Sequence, residues 1–374
     1  MVILAVGAVL SALSWSFAAL VIFRFILGLG IGGDYPMSAT IMSEYSNVKS
    51  RGKLVGTVFA MQGFGILTGI VLAIGLLATI PAQLSLIWRI LLAAGAIPAI
   101  SVYYYRRKMP ETPRYTLTVE GNVKETKKVI EHLTGSTPSS ESASVTGRKR
   151  YSEMLRYYLP IIIGTAVSWF LFDISFYGTS IYTPTLFTAL SLTYAPHLSH
   201  ISHLLIAEEY TAVVDLIFTI PGYWIAVALI DWAGRKTLQL AGFAAMAVLF
   251  AVLGLVPGII SLGLPFVVIY GLTFLFGNIG PNTTTFIIPT ELFPTAFRAS
   301  GHGIAAGSGK LGAALSTLFF ATIILAIGDA GMMLFLSFVA VLGVIFTAVF
   351  IRETKGLTLE ASSEEKKLVA KSAE

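Results

Sequence analysis

The sequence predicts an all-α protein that crosses a membrane about ten times. Hydrophobic residues make up 55% of the 374 residues and charged residues only 12%, against roughly 25% charged residues in an ordinary soluble domain. Apolar runs near or above the ~20 residues that span a bilayer recur along the whole chain. Because these runs lack the two-residue alternation of a membrane β-barrel, we expect each of them to be a helix.

Ten apolar runs are predicted to span the membrane. They cover residues 1–13, 17–43, 54–80, 86–105, 157–187, 204–230, 237–257, 264–290, 299–327 and 331–351. As a helix at 1.5 Å per residue, the first run would be about 20 Å long, which is too short for ~30 Å of hydrocarbon. We therefore expect the chain to begin inside a helix, with further spans preceding it.

The basic residues predict how the chain is oriented. Twenty-two of the 25 Lys and Arg residues lie in 44–53, 106–156 and 231–236, at Arg298 and after 351. The alternate connections carry none, so the positive-inside rule places both termini and the long central loop in the cytoplasm. The net charge of +5 is therefore a topology signal, and no nucleic-acid partner is expected. The absence of cysteine excludes a disulfide framework and a Cys-ligated metal.

The long basic segment divides the chain into two helical halves. The predicted units are an N-terminal half of four spans at 1–105, a cytoplasmic loop at 106–156, a C-terminal half of six spans at 157–351 and a cytoplasmic tail at 352–374. Within the loop, 123–133 predicts a short surface helix and 134–147 a flexible linker. Transporters built from two helical halves bind their substrate between them. Because the sequence has no G-x-x-x-x-G-K-[ST] loop for ATP, we expect a secondary transporter.

The stretch GLGIGGDYP has the glycine spacing of a dinucleotide-binding loop, with Gly28, Gly30 and Gly33 at its fixed positions. Such a loop requires a strand before it, whereas this stretch lies inside an apolar run that continues to Met42. We therefore expect the glycines to let a neighbouring helix approach closely. Asp34 then lies within a span, where a carboxylate must be paired, protonated or in water, so it is a functional candidate.

Trp169, Asp173 and Tyr177 recur at intervals of four residues. At 100° per residue they lie within about 80° of one another on one helix face, which offers an indole donor, a carboxylate and a phenol. The alternative is that the rings pack against lipid and the acid is paired elsewhere.

Three further polar residues stand in apolar surroundings. Gln62 is a lone amide in an apolar run, Asn282 follows Gly280-Pro281, where a helix is prone to break, and Lys310 is an ammonium within a span. Their structural alternatives are an interhelical hydrogen bond for Gln62, capping of the break for Asn282 and snorkelling to the membrane surface for Lys310.

Several stretches resemble the major facilitator superfamily and, more narrowly, its phosphate:proton symporter family. They are GIGGDYPMSATIMSEY at 30–45, WFLFDISFYG at 169–178 and GPNTTTFIIPTELFP at 280–294. Asp231, Gly234, Arg235 and Lys236 resemble the superfamily's cytoplasmic loop motif, and PETPR and RETKG resemble motifs shared with sugar porters. The resemblance implies a helical bundle in two pseudo-symmetric halves. The family has twelve helices, and this chain matches it from the third helix onward, without the acid of the first.

The resemblance also implies roles for individual residues. The residues implied to bind phosphate are Tyr35, Gln62, Trp169, Asp173, Tyr177 and Asn282. The resemblance places Asp34 and Asp173 on different halves near one cavity. Because two carboxylates and a phosphate cannot all stay ionised in a dry site, we expect these acids to carry the coupling protons and Lys310 to balance charge. Glu44, Glu291 and Arg298 are expected to form ion pairs that close the cytoplasmic side. No cofactor or metal is expected, and the histidines at 197, 200 and 203 read as solvated loop residues.

The function that follows from the resemblance is proton-coupled uptake of inorganic phosphate across the plasma membrane by alternating access, without enzymatic chemistry. The expected partners are phosphate, protons and the lipid bilayer; the oligomeric state is left open, and a monomer is compatible with this function. Phosphate at neutral pH still carries a proton that Asp173 can accept, whereas sulfate does not. The alternatives are a sugar or organic-anion:proton symporter, a phosphate receptor that does not transport, and an inactive fragment.

Overall fold

The computed structural model describes residues 1–134 and 151–364, and within these residues every regular element is a helix. The N-terminal part contains α1 (Val2–Ala12), α2 (Phe17–Tyr45), α3 (Arg51–Thr79), α4 (Leu84–Ala94) and α5 (Ala96–Arg106), followed by the short helices α6 (Pro113–Thr118), α7 (Val123–Thr134) and α8 (Tyr151–Tyr157). Helix α7 confirms the predicted surface helix. The predicted linker at 134–147 lies, from residue 135 onward, outside the described residues, as does the tail after 364.

The C-terminal part contains longer helices interrupted by irregular turns. Its elements are α9 (Leu159–Tyr194), α10 (His200–Val214), a π-helical turn (Asp215–Thr219), α11 (Ile220–Ala233), α12 (Arg235–Leu255), a 3₁₀ turn (Ile259–Leu262), α13 (Leu264–Gly277), a second π-helical turn (Asn278–Asn282), α14 (Thr283–Leu292), α15 (Thr295–Phe350) and α16 (Leu359–Ser362). The π-helical turns place extra backbone inside two of the spans, a feature that often marks functional sites.

Eight helical stretches of the described chain are long and apolar enough to cross a membrane. They are Phe17–Tyr45, Arg51–Thr79, Leu84–Arg106, Leu159–Thr188, His200–Ala233, Arg235–Leu255, Leu264–Leu292 and Thr295–Phe350. The last one has 56 residues and contains Gly328 at φ 72° and ψ 171°, so it comprises two helices that meet at a kink. Together with the shorter α1, these stretches account for all the predicted apolar runs.

The glycine-rich stretch lies inside α2 and forms no loop between a strand and a helix. A Cβ on Gly30 would lie 2.9 Å from Leu4 of α1, so this glycine allows the close helix approach that was predicted. A Cβ on Gly28 or Gly33 would meet no other described atom within 4 Å. The prediction of close packing is therefore confirmed for Gly30 and wrong for the other two glycines.

Two clusters of buried side chains organise the bundle. The larger lies among the C-terminal helices, around Phe172, Phe243 and Phe266. The second contains Phe59 of α3, Trp169 of α9 and residues of α11, α14 and α15, so it joins the N-terminal helices to the C-terminal ones. We call this contact zone, where α2 and α3 meet α9, α11, α14 and α15, the seam. The predicted residues Tyr35, Gln62, Asp173, Tyr177 and Lys310 lie along it, whereas Asp34 does not.

Candidate functional site

Two of the three predicted residues of α9, Asp173 and Tyr177, share one face, and Lys310 of α15 contacts both. The Lys310 Nζ lies 3.1 Å from the Asp173 Oδ2 and donates to the Tyr177 hydroxyl at 2.8 Å. Asp173 is buried, whereas the Lys310 side chain remains 40% exposed. The prediction of a shared face is thus confirmed for Asp173 and Tyr177. Pairing with Asp173, rather than snorkelling to the membrane surface, stabilises the ammonium.

The N-terminal half supplies the opposite wall of this site. The Tyr35 hydroxyl on α2 donates to the Gln62 Oε1 on α3 at 3.2 Å. The Tyr35 ring lies 6.3 Å from the Trp169 ring and 5.5 Å from the Lys310 Nζ, measured between ring centroids and from the centroid to the nitrogen. The same Nζ lies 4.2 Å from the Tyr177 ring centroid. An ammonium between two aromatic rings gains electrostatic attraction from both.

Asn282 lies at the break between α13 and α14. Gly280 has the non-helical angles φ −102° and ψ −107°, and Pro281 follows it. The Asn282 Nδ2 donates to the Tyr223 hydroxyl at 2.9 Å and to the Asn278 Oδ1 at 2.6 Å. The amide of Asn282 therefore bonds to side chains, while the Asn278 amide bonds to the backbone, at the Phe274 carbonyl. Tyr223 brings α11 into the network and was not predicted.

Asp34 lies apart from this group. Its carboxylate forms an ion pair with Arg106 at the end of α5 and accepts a hydrogen bond from Ser38 at 3.2 Å. The acid and Arg106 line a cavity of about 330 Å³ together with residues of α1 and α2. The structure thus does not bring Asp34 into contact with Asp173 or Lys310, and the role of Asp34 in proton coupling stays a prediction. Its partner Arg106 was not identified from the sequence.

At the end of the bundle where α2 ends, an ion pair joins the two halves. Arg298 at the start of α15 pairs with Glu44 of α2, and Thr112, which caps α6, donates to the same carboxylate. Both members of the pair are buried. The predicted contact between Glu44 and Arg298 is present, while its action as a gate stays a prediction.

Glu291 belongs to a second charged network at the same end. It accepts from the Arg235 Nε at 3.0 Å and the Arg235 Nη2 at 2.9 Å, and it lies 4.0 Å from Arg51. Arg235 is also 2.9 Å from Asp231, whose carboxylate accepts from the backbone N–H groups of Gly52 and Lys53 at 3.0 Å each. Asp231 therefore caps the first turn of α3 from the other half of the molecule.

The remaining residues of the loop motif complete this end. Gly234 has a φ of 97°, a conformation that favours glycine, and a Cβ there would lie 2.4 Å from Glu353. The Glu353 carboxylate accepts from the N–H groups of Arg235 and Lys236 at 2.9 and 3.0 Å, so it caps α12. Glu353 belongs to the RETKG stretch, but its contact with the start of α12 could be identified only from the fold, as could the contact of Arg51, the first residue of α3, with Glu291.

One prediction about histidine was wrong. His203 lies in α10, is only 2% exposed, and has its Nδ1 2.8 Å from the Ser191 hydroxyl. It is a packed residue and not a solvated loop residue, because α10 begins at His200, before the predicted start of that span. Among the described residues, no group of histidine and acidic side chains is arranged to hold a metal ion.

The comparisons with known proteins agree with this architecture. The family model described as "Sugar (and other) transporter" matches residues 1–365. The chain is 38% identical over 388 residues to inorganic phosphate transporter 1-6 of Oryza sativa subsp. japonica, covering 92% of this chain and 72% of the relative. It is 39% identical over 402 residues to inorganic phosphate transporter 1-4 of Arabidopsis thaliana, covering 93% of this chain and 73% of the relative.

The fold is shared with a solved structure of the proton:xylose symporter XylE bound to 6-bromo-6-deoxy-D-glucose. The TM-score is 0.83 at 22% identity, covering 97% of this chain and 81% of XylE. These relatives are transporters and not enzymes. The helical fold is that of a multi-pass membrane protein, and the similar rice and Arabidopsis proteins are phosphate transporters. The chain therefore belongs to the sugar (and other) transporter family of the major facilitator superfamily and, within that family, groups with the phosphate transporters.

Proposed function

We propose that this chain takes up inorganic phosphate together with protons, across the plasma membrane and by alternating access. The observation that carries the proposal is the arrangement around Lys310, where an accessible ammonium is held by Asp173 and Tyr177 at the seam. Phosphate transport is what the names of the similar rice and Arabidopsis proteins state. The proton coupling is inferred from the carboxylates within the spans.

The site offers the groups that protonated phosphate requires. Phosphate oxygens accept hydrogen bonds from the Lys310 ammonium and the Trp169 indole, and from the Tyr35 hydroxyl once it releases the Gln62 Oε1, while a phosphate O–H donates to Asp173. Gln62 and Asn282 supply further amide groups on the two sides of the seam. Sulfate has no proton for Asp173 and would meet its carboxylate with repulsion, so one acid disfavours an anion of similar shape.

The coupling protons are assigned to Asp34 and Asp173. When phosphate enters, its negative charge joins that of Asp173 beside the single positive charge of Lys310 in a site of low polarity, where the excess negative charge is costly. Protonation of an acid removes one of these charges. Protonation of Asp34 would also release Arg106, which links proton binding to a contact between α2 and α5.

The ion pairs at the Glu44 end are assigned to the cytoplasmic side, because this end carries the basic connections. Their engagement supports a conformation that is closed to the cytoplasm. Both termini then lie in the cytoplasm, and transport requires these contacts to break while the opposite side closes.

Uptake of labelled phosphate into proteoliposomes under an imposed pH gradient tests the proposal. We expect accumulation that collapses when the gradient is dissipated, with sulfate as the matched anion that is not accumulated. Accumulation of a labelled sugar without phosphate would favour the sugar symporter. Phosphate binding without exchange across the membrane would favour a receptor, and absence of binding and of transport would exclude phosphate.

A further inference from the structure

We call the group formed by Tyr35, Trp169, Asp173, Tyr177 and Lys310 the central site. We propose that His302 is a positioning residue that couples Trp169 of the central site to the Glu44–Arg298 ion pair; this inference rests on the proposed phosphate transport. His302 lies in α15, is completely buried, and holds none of the contacts that the transport proposal uses. It belongs to the same long helix as Lys310 but contacts different neighbours, which lie on α9 and α14.

The imidazole of His302 is wedged between two aromatic rings. Its centroid lies 5.4 Å from that of Trp169 at an interplanar angle of 84°, and 5.3 Å from that of Phe286 at 90°. Both contacts are edge-to-face, so each is sensitive to the ring's orientation. Trp169 is confined on another side as well, since a Cβ on Gly309 would lie 2.4 Å from its Cδ1. A change in the position of Trp169 therefore presses directly on His302.

A hydrogen bond connects the same ring to α14. The His302 Nε2 lies 3.0 Å from the Phe286 carbonyl oxygen. Because a carbonyl only accepts, Nε2 carries the hydrogen and Nδ1 of the neutral ring is an acceptor. The Nδ1 is buried without a partner in the described chain. A residue that only filled space would not need a second ring nitrogen here. A histidine that changes its hydrogen-bond partners between two conformations would need the Nδ1 as an acceptor.

The position of His302 in α15 completes the connection. Arg298, which holds Glu44, lies four residues earlier and therefore on the same helix face. Tyr35 and Glu44 both belong to α2, and the Tyr35 ring packs 5.5 Å from that of Phe286. One turn of α15 thus separates the wall of the site from the ion pair. Since packed interiors rearrange between discrete states, a small shift at Trp169 is transmitted to Arg298 through this turn.

The absence of cysteine from the chain allows a direct test with one engineered thiol. Ser43 is fully buried beside Glu44 and its hydroxyl has no partner, so Ser43→Cys loses no hydrogen bond in this conformation. The labelling rate of this thiol reports how often the Glu44 end opens. We expect saturating phosphate to raise the labelling rate at least about fivefold, a typical size for coupling between sites.

Two substitutions of His302 each remove one of its contacts, either the hydrogen bond to the Phe286 carbonyl or the ring contact with Trp169. His302→Phe keeps a ring beside Trp169 but cannot bond to the Phe286 carbonyl, and His302→Gln keeps an amide donor but loses the ring. In both we expect the phosphate effect on labelling to fall below about twofold and kcat for phosphate exchange to fall about tenfold, with KM and the affinity measured by calorimetry nearly unchanged. His203→Phe is the matched control, because that buried histidine lies in α10 and forms its hydrogen bond with Ser191 of α9 instead of with residues of the proposed connection.

The outcomes separate this inference from the proposed function. If the unsubstituted chain does not bind phosphate by calorimetry, phosphate transport is wrong. If phosphate binds and either His302 variant keeps the full effect on labelling, the coupling role is overturned. A loss of affinity equal to the loss of transport would overturn it too, because His302 would then only maintain the site. Should His302→Phe not fold, His302→Gln alone decides.

Discussion

At the residue scale, the proposed chemistry concentrates on Asp173 and Lys310, which are 137 positions apart in the chain. Each residue could be identified from the sequence as a charge within an apolar span. Their pairing could not, because it depends on how α9 packs against α15. The same holds for Asp34 and Arg106, 72 positions apart. Local spacing predicted the shared face of Asp173 and Tyr177, since four residues make about one helical turn.

Asp173→Asn is expected to lower the ratio of phosphate affinity to sulfate affinity by about 10–150-fold, which corresponds to about 1.5–3 kcal/mol for a charge-assisted hydrogen bond. Asparagine cannot take the phosphate proton and no longer repels sulfate. Calorimetry with both anions measures the ratio. Asp215→Asn is the control, since Asp215 is a buried acid of the same half that does not contact Lys310. An unchanged ratio in Asp173→Asn would remove the acid from substrate selection.

Lys310→Ala is expected to reduce phosphate transport much more than Lys310→Arg, because arginine keeps a positive charge and donors for Asp173 and Tyr177. Removing Lys310 also leaves the buried Asp173 carboxylate without its positively charged partner. Uptake rates normalised to the amount of folded protein test this expectation. The double variant Lys310→Ala/Asp173→Asn should regain thermal stability without regaining transport. Normal transport in Lys310→Ala would show that the ammonium is not required.

At the element scale, apolar runs predicted the helices, and breaks within helices required the structure. The kink at Gly328 agrees with the gap predicted between the last two spans. Only Gly280-Pro281 indicated in the sequence that the helix breaks at the π-helical turn Asn278–Asn282. The shape of the turn depends on its packing against α12, where a Cβ on Gly242 would lie 2.4 Å from Pro281. The sequence pattern of a helix predicts which of its faces is buried. A break within the helix depends, in addition, on which neighbouring helix packs against it, and that is known only from the fold.

Glu44→Gln is expected to open the end of the bundle where α2 meets α15. The substitution leaves Arg298 buried without a carboxylate, which disfavours the closed state by about 3–5 kcal/mol. Labelling of the Ser43→Cys thiol should therefore accelerate. Glu360→Gln is the matched control, because Glu360 pairs with Arg114 at a partly exposed position, where solvent weakens the attraction between the charges. Equal labelling rates in both variants would contradict a gating role for Glu44.

At the scale of the whole molecule, the seam carries both the central site and the end contacts. Several of its buried polar atoms have no partner in the described chain, among them the Thr40 and Ser43 hydroxyls on α2 and the Arg298 Nη2 on α15. Unsatisfied polar groups are costly in a closed interface and gain water when it opens. These unsatisfied groups lower the free-energy cost of separating the two halves along the seam. The apolar cluster around Phe172 and Phe243 has, among its described residues, no such groups to hydrate and holds the C-terminal helices together.

The proposed coupling makes a further prediction about the two halves acting together. Asp34→Asn imitates the protonated acid permanently and removes the ion pair with Arg106. Because Asp34 does not contact the Asp173–Lys310 pair, phosphate binding should remain within about threefold of the unsubstituted chain. Exchange of phosphate between the two sides should also continue. Accumulation driven by a pH gradient should be lost, since a side chain that cannot release its proton cannot link phosphate movement to proton movement.

Counterflow exchange and pH-driven uptake, measured in the same vesicles, separate these two activities for Asp34→Asn. Asp329→Asn is the control, because Asp329 is an exposed acid beside the Gly328 kink. Loss of both activities would indicate that the contact between α2 and α5 is needed for the conformational change itself. Full pH-driven accumulation would make Asp34 a packing partner of Arg106 and leave Asp173 to carry the proton. Only exchange without accumulation supports the assignment of a coupling proton to Asp34.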